Sequence, residues 1–108
     1  MSKKYELINY NEETGLWQVK ALRDFGDVKV GDLGGWVEGE HNLSHDDNCW
    51  VHGNAWVHGN AWVHGNAQVY DDARVYGNAR VYGIAQVSDN AKVYGEAQVY
   101  GNALIYGS

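Results

Sequence analysis

Proline is absent from this sequence, and cysteine, methionine, phenylalanine and threonine occur once each. No long apolar run appears, and basic residues are scarce. Each shortage excludes something. The lone Cys49 rules out an intramolecular disulfide and fits a reducing compartment. Eight Lys and Arg against fourteen Asp and Glu give a net charge of −6, which argues against a general binder of nucleic acid. The opening Met-Ser-Lys-Lys-Tyr leads into no apolar stretch, so we expect neither a signal peptide nor a membrane partner, and a cytoplasmic location. Within 108 residues there is room for one domain and little more.

What is present is glycine, 14 of them, with 8 Tyr and 5 Trp, too aromatic a mixture for a disordered chain. From Cys49 onward the sequence runs in sixes. Val recurs from Val51 through Val57, Val63, Val69 and Val75 to Val99, and Ile105 closes the series. Ala recurs from Ala55 to Ala103, with Cys49 in the preceding slot, and corners such as Gly53-Asn54 and Gly77-Asn78 fall between. A period of six fits a short strand and a corner, not a helix of 3.6 residues per turn. In Ala-x-Val-x, alternation sends Ala and Val to one face and both x residues to the other. Gly and Asn tolerate positive φ and turn the chain. Three six-residue sides close a triangular coil, and coils stack as parallel strands about 4.8 Å apart. Missing proline follows, because nearly every strand donates a ladder N–H. The predicted fold is therefore all-β, a solenoid of about four coils. We place a β-hairpin cap at 1–32, an irregular first coil at 33–50 and regular repeats at 51–108. Backward extension of the register puts Leu33 in the Val phase, and Val37 and Leu43 in the Ala phase. Cys49 is expected to be a buried small hydrophobe, and Gly34-Gly35 a tight turn into the first coil, not a phosphate loop.

The unit Val-Tyr-Gly-Asn-Ala-x resembles the repeat of the left-handed parallel β-helix proteins, with Tyr or His where that family often has Gly. The run Ala21 to Val37, then Asn42-Leu43-Ser44, then the Tyr-rich hexapeptides also resembles a group of phage and prophage proteins labelled as hexapeptide transferases. That resemblance implies a phage origin, and the resemblance to left-handed β-helix proteins, which usually pack side by side, implies a homo-oligomer, dimer or trimer. No hairpin comparable to the first follows Ile105, so the last coil is expected to be covered by another subunit.

Stacking at eighteen residues aligns the outward side chains. Trp50 precedes Gln68, Gln86 and Leu104; Trp56 precedes Arg74 and Lys92; Trp62 precedes Arg80 and Gln98. The second outward slot aligns His52 with Tyr70, Ser88 and Tyr106; His58 with Tyr76 and Tyr94; and His64 with Tyr82 and Tyr100. These Trp, His, Tyr and Arg residues are the candidate binding surface. They also form ladders worth about 0.5–1.5 kcal/mol per ring contact, Trp56 over Arg74 and Trp62 over Arg80 included. Asp24, Asp27, Asp32, Glu38, Glu40, Asp46 and Asp47 form a candidate acidic patch, because 1–48 carries ten acids against five bases. It would meet a basic surface on a host protein.

His52, His58 and His64 fall on three different sides, so one chain offers no metal site, and we expect no cofactor. His41 and His45 lie outside the regular series and are weak candidates for a catalytic base, oriented by Asp46 or Asp47. The lone Thr14 excludes the Thr arrays of an ice-binding face. The favoured expectation is a non-enzymatic oligomeric binding protein that inhibits a host antiviral-defence factor or sequesters a small signal molecule. The alternatives are an acyltransferase with its site between subunits and a structural, polymer-forming solenoid.

Overall fold

The computed structural model describes residues 3–107. Strands β1 (Tyr5–Asn11) and β2 (Leu16–Ala21) pair antiparallel around a turn at Gly15, whose φ is +75°. β2 then pairs antiparallel with β3 (Leu33–Val37), which is the first strand of the solenoid. A turn of 3-10 helix at Glu40–Asn42 follows, and then ten strands of two residues each.

Those ten strands build three faces. On the first, β3 is followed by β5 (Trp56–Val57), β8 (Arg74–Val75) and β11 (Lys92–Val93), so the hairpin and this face form one six-stranded sheet. The second holds β4 (Trp50–Val51), β7 (Gln68–Val69), β10 (Gln86–Val87) and β13 (Leu104–Ile105). The third holds β6 (Trp62–Val63), β9 (Arg80–Val81) and β12 (Gln98–Val99). Every pair among β4 to β13 is parallel and offset by eighteen residues, as Trp56 over Arg74 over Lys92 shows. The expected columns of outward residues are therefore present.

The core follows from the alternation. Val51, Val57, Val63, Val69, Val75, Val81 and Val87 are fully buried, as are Cys49 and every Ala from Ala55 to Ala85 in the Ala slots. Each Val so placed contributes about 1.5–3 kcal/mol through apolar burial. Corners are held by short bonds such as Ala55 N–H to the His52 carbonyl at 3.1 Å, and by bonds between coils such as Asn60 N–H to the Gly77 carbonyl at 2.8 Å. Gly83 shows why glycine serves there: its φ is +72°, and a Cβ would lie 2.7 Å from the backbone nitrogen of Gly101 in the next coil.

The first coil departs from the expected phase. Val37 pairs with Val57 and Leu43 with Val63, both twenty residues ahead, whereas Trp50 pairs with Gln68, eighteen ahead. Val37 and Leu43 therefore sit in the Val phase, not the Ala phase, and Gly35 occupies the Ala phase. A Cβ on Gly35 would lie 2.6 Å from the Ala55 carbonyl oxygen, so the two adjacent glycines are a close approach between coils. Leu33 is not a core residue and is 55% exposed. Two extra residues between Leu43 and Trp50 cause the shift.

Buried polar side chains take up what the ladder loses. Lys4 is fully buried, and its ammonium donates to the carbonyls of Asp46 and Asp47 at 3.3 Å and of Cys49 at 2.7 Å. Burial pushes its pKa below the usual lysine range. Asn42, also fully buried, donates to the carbonyls of Gly59 and Ala61 and accepts the N–H groups of Glu38 and Gly39. All four hydrogen-bonding positions of that amide are used, and it fixes the corner where a regular strand is missing.

Candidate functional site

The outward slots order themselves into aromatic columns. His58 stacks on Tyr76 at 5.2 Å and Tyr76 on Tyr94 at 5.5 Å. His64 stacks on Tyr82 at 4.8 Å and Tyr82 on Tyr100 at 5.4 Å. The third column begins alike, with His52 on Tyr70 at 4.5 Å, and is then interrupted by Ser88. Interplanar angles of 11° to 21° follow from the fold, since strands one coil apart present equivalent Cβ vectors at the strand spacing. Burial by these neighbours holds His58 and His64 below the usual imidazole range, and Arg74 and Arg80 respectively add to the shift.

The tryptophans divide. Trp50 is only 2% exposed, so it belongs to the core and not to a binding surface. Its side chain leaves the coil outward, but Phe25 and Tyr5 of the N-terminal segment cover it, at 5.1 and 6.2 Å between ring centroids. Trp56 carries the Arg74 guanidinium 4.1 Å above its ring, as expected. Trp62 lies beside Arg80 in register, but its ring stacks on His64 at 3.7 Å. Trp62, Tyr94, Tyr100 and Tyr106 are all exposed, the last at 70%.

The acidic residues are spread over separate tasks. Asp24 and Asp32 accept the N–H groups of Val30 and Lys29 and shape the loop between β2 and β3. Glu38 accepts the N–H of Gly59 at 2.7 Å. Glu40 pairs with Lys3 at 3.3 Å and with His45 at 2.7 Å, and these bonds, the one to His45 foremost, hold its carboxyl below the usual range. Asp46 and Asp47 present their backbone carbonyls to Lys4. Asp27 is left to line a groove of about 380 Å³ between the β2–β3 loop and the second face, with Gln68, Tyr70 and Gln86.

The two histidines outside the series are held in place. His45 Nδ1 accepts the backbone N–H of Lys4 at 3.2 Å, so its proton sits on Nε2 and is donated to Glu40. Its ring stacks on Tyr5 at 4.1 Å. His41 Nε2 donates to the Gly59 carbonyl at 2.8 Å. Asp46 and Asp47 orient neither ring through a hydrogen bond among the described residues. His52 is tied as well. Gln68 donates its amide N–H groups to the carbonyls of Asn48 and Asn66, so its oxygen faces His52 Nε2, 2.7 Å away, which must carry the proton. Among the described residues, no three His, Cys, Asp or Glu side chains are grouped to hold a metal ion. Nor is any helix among them long and apolar enough to cross a membrane.

Sequence reasoning missed Lys4 and Asn42. Both are single polar residues outside the repeat, and nothing in the local pattern marks them. For Asn42 the disturbed phase of 33–50 was the available signal.

Parallel strands of period six, stacked in coils of eighteen with Val and Ala inside, define a β-solenoid of hexapeptide repeats. The chain is similar to the hexapeptide-repeat β-helix proteins: the family model of the YdcK beta solenoid repeat matches residues 67–83 and 97–108. It is similar to the uncharacterized acetyltransferase YdcK of Escherichia coli (strain K12), with 33% identity over an alignment of 57 residues that covers 48% of this chain. The matched stretch spans only 18% of that relative's length.

Proposed function

We propose that the chain is a non-enzymatic oligomeric binding protein that recognises a partner through its outward aromatic and acidic faces. The exposed ends of the aromatic columns carry this reading, because Tyr and Trp side chains held rigid by stacking are the residue types that anchor interfaces. The coils from Cys49 to Ile105 eject no loop, the basic nitrogen of His45 is committed to the Lys4 N–H, and the His41 ring is tethered through Nε2–H to the Gly59 carbonyl. With the resemblance to phage proteins, the partner is a host factor with a basic surface, and inhibition of an antiviral defence component is the corresponding role. Self-association into a dimer or trimer through the aromatic faces accompanies it.

Acyl transfer is the second reading, favoured by the similarity to a relative described as an acetyltransferase. Calorimetry with acetyl-CoA separates the two. The binding reading expects no heat of association; micromolar binding abolished by His41→Ala or His45→Ala overturns it. Sedimentation over a range of concentrations is expected to show one closed oligomer, whereas open-ended growth would indicate a polymer-forming protein.

A further inference from the structure

The repeat breaks its own pattern at one corner. In the His58 and His64 columns a third ring covers the far face of the second. In the His52 column the third position is Ser88, and the next ring is Tyr106. One face of Tyr70 therefore has no ring upon it, and Tyr70 and Tyr106 stand two coils apart, about 10 Å at the usual strand spacing. That interval equals one missing rung.

The same corner departs from Gly-Asn in two successive coils. Asp71-Asp72 follows Tyr70 and Asp89-Asn90 follows Ser88. Asp71 and Asp89 adopt φ of +58° and +59°, a region that favours glycine, where Gly53 and Gly107 stand at the same corner. Residues kept in a less favourable conformation point to a role beyond the fold. Cavities flank the gap. On one side lies the groove of about 380 Å³ lined by Asp27, Gln68, Tyr70 and Gln86. On the other lies a corner cavity of about 640 Å³ lined by Asp71, Asp72, Asp89, Asn90 and Gly107. Among the described residues neither is lined by Lys or Arg. An anionic ligand is disfavoured there, and a flat cation is favoured on two counts: an aromatic face with no ring upon it, and carboxylates on both flanks.

We propose that the gap at Ser88 is a receptor for the guanidinium of an arginine side chain presented by a basic partner protein. Guanidinium is planar, stacks on aromatic faces and takes carboxylates in a bidentate fork; a lysine ammonium has neither plane nor fork. Tyr70 supplies the stacking face, and Asp71 and Asp89 supply the charge. Asp71 already accepts the N–H of Asp89 through one carboxylate oxygen at 3.1 Å, which leaves its other oxygen for the ligand. The inference rests on the binding-protein reading and names the chemistry of its partner.

The test is an NMR titration of the full chain at low salt with the peptide acetyl-Gly-Arg-Gly-amide, against its lysine and citrulline counterparts. The arginine peptide is expected to bind at least tenfold more tightly than either, with shifts centred on Tyr70, Ser88 and Tyr106. Ser88→Tyr supplies the missing rung, and is expected to abolish binding while the melting temperature holds or rises. Asp71→Asn is expected to weaken binding severalfold and to flatten its salt dependence. Equal affinity for citrulline, or full binding by Ser88→Tyr, overturns the proposal. Both results are independent of the acetyl-CoA calorimetry that tests the broader reading.

Discussion

Single polar residues decide how the irregular part of this molecule holds together. Lys4 is the clearest case, a buried ammonium shared among three carbonyls and close to Cys49 Sγ at 3.3 Å. It also lies 4.8 Å over the Phe25 ring. Lys4→Met keeps the volume and orphans those carbonyls, so urea denaturation is expected to show a loss of about 2–4 kcal/mol. An unchanged midpoint would mean that water reaches the carbonyls and that the lysine is incidental. His58 and His64 act in the opposite sense, as rings that prefer to stay neutral. Their folded-state pKa values are depressed, so the unfolded chain binds more protons below the ordinary imidazole value. The stability they contribute is complete above about pH 6.5 and is lost as pH falls through the folded values. Glu40, also depressed, adds its own loss at lower pH. The melting temperature should thus fall between pH 7.5 and 5, with a shallower slope in the His58→Phe, His64→Phe double variant. A melting temperature that climbs on acidification through this range would contradict the assignment.

At the scale of elements, legibility tracked the period. Residues 51–105 could be registered from the sequence because Val and Ala repeat without a gap, and burial is what those positions share. The hairpin was legible too, from two apolar-rich segments around Asn11 to Gly15. The first coil was not, because two extra residues shift its phase, and a six-residue ruler carried backward across them puts Val37 in the wrong slot. Trp50 was misplaced for another reason. The repeat fixes which way a side chain leaves the coil but says nothing about what a distant segment lays over it, and Phe25 and Tyr5 cover Trp50. The corners allow a graded test of stacking. Gly83→Ala places a Cβ against the backbone of the next coil, whereas Gly95→Ala meets nothing within 4 Å at a similar φ. Gly95→Ala should cost about 1–2 kcal/mol for the left-handed conformation alone. Gly83→Ala should cost about 2–4 kcal/mol, since backbone must also move. Equal costs would show that the coils are not in the tight register described.

For the molecule as a whole, the governing fact is that each coil touches only its neighbours. Stability in such a stack is a sum of coil and interface contributions, so a lesion matters according to how many interfaces it breaks. Val75 is fully buried, with Val57 on one side and Val93 on the other. Ile105 is partly exposed and pairs with Val87 alone among the described residues. Val75→Asp would bury a charge without a partner between two coils, a penalty of several kcal/mol that is comparable to the entire stability of a small domain. It should leave the chain unfolded by circular dichroism. Ile105→Asp can swing its carboxylate toward water at the last coil, and should fray β13 while the preceding coils keep their melting transition. Hydrogen exchange would then report lost protection at Gln86 and Ser88, whose N–H groups donate to Ala103 and Ile105, and intact protection at Trp56 and His58. If Ile105→Asp instead melts the whole chain, the stack behaves as one indivisible unit, and pairwise additivity between coils fails for this protein.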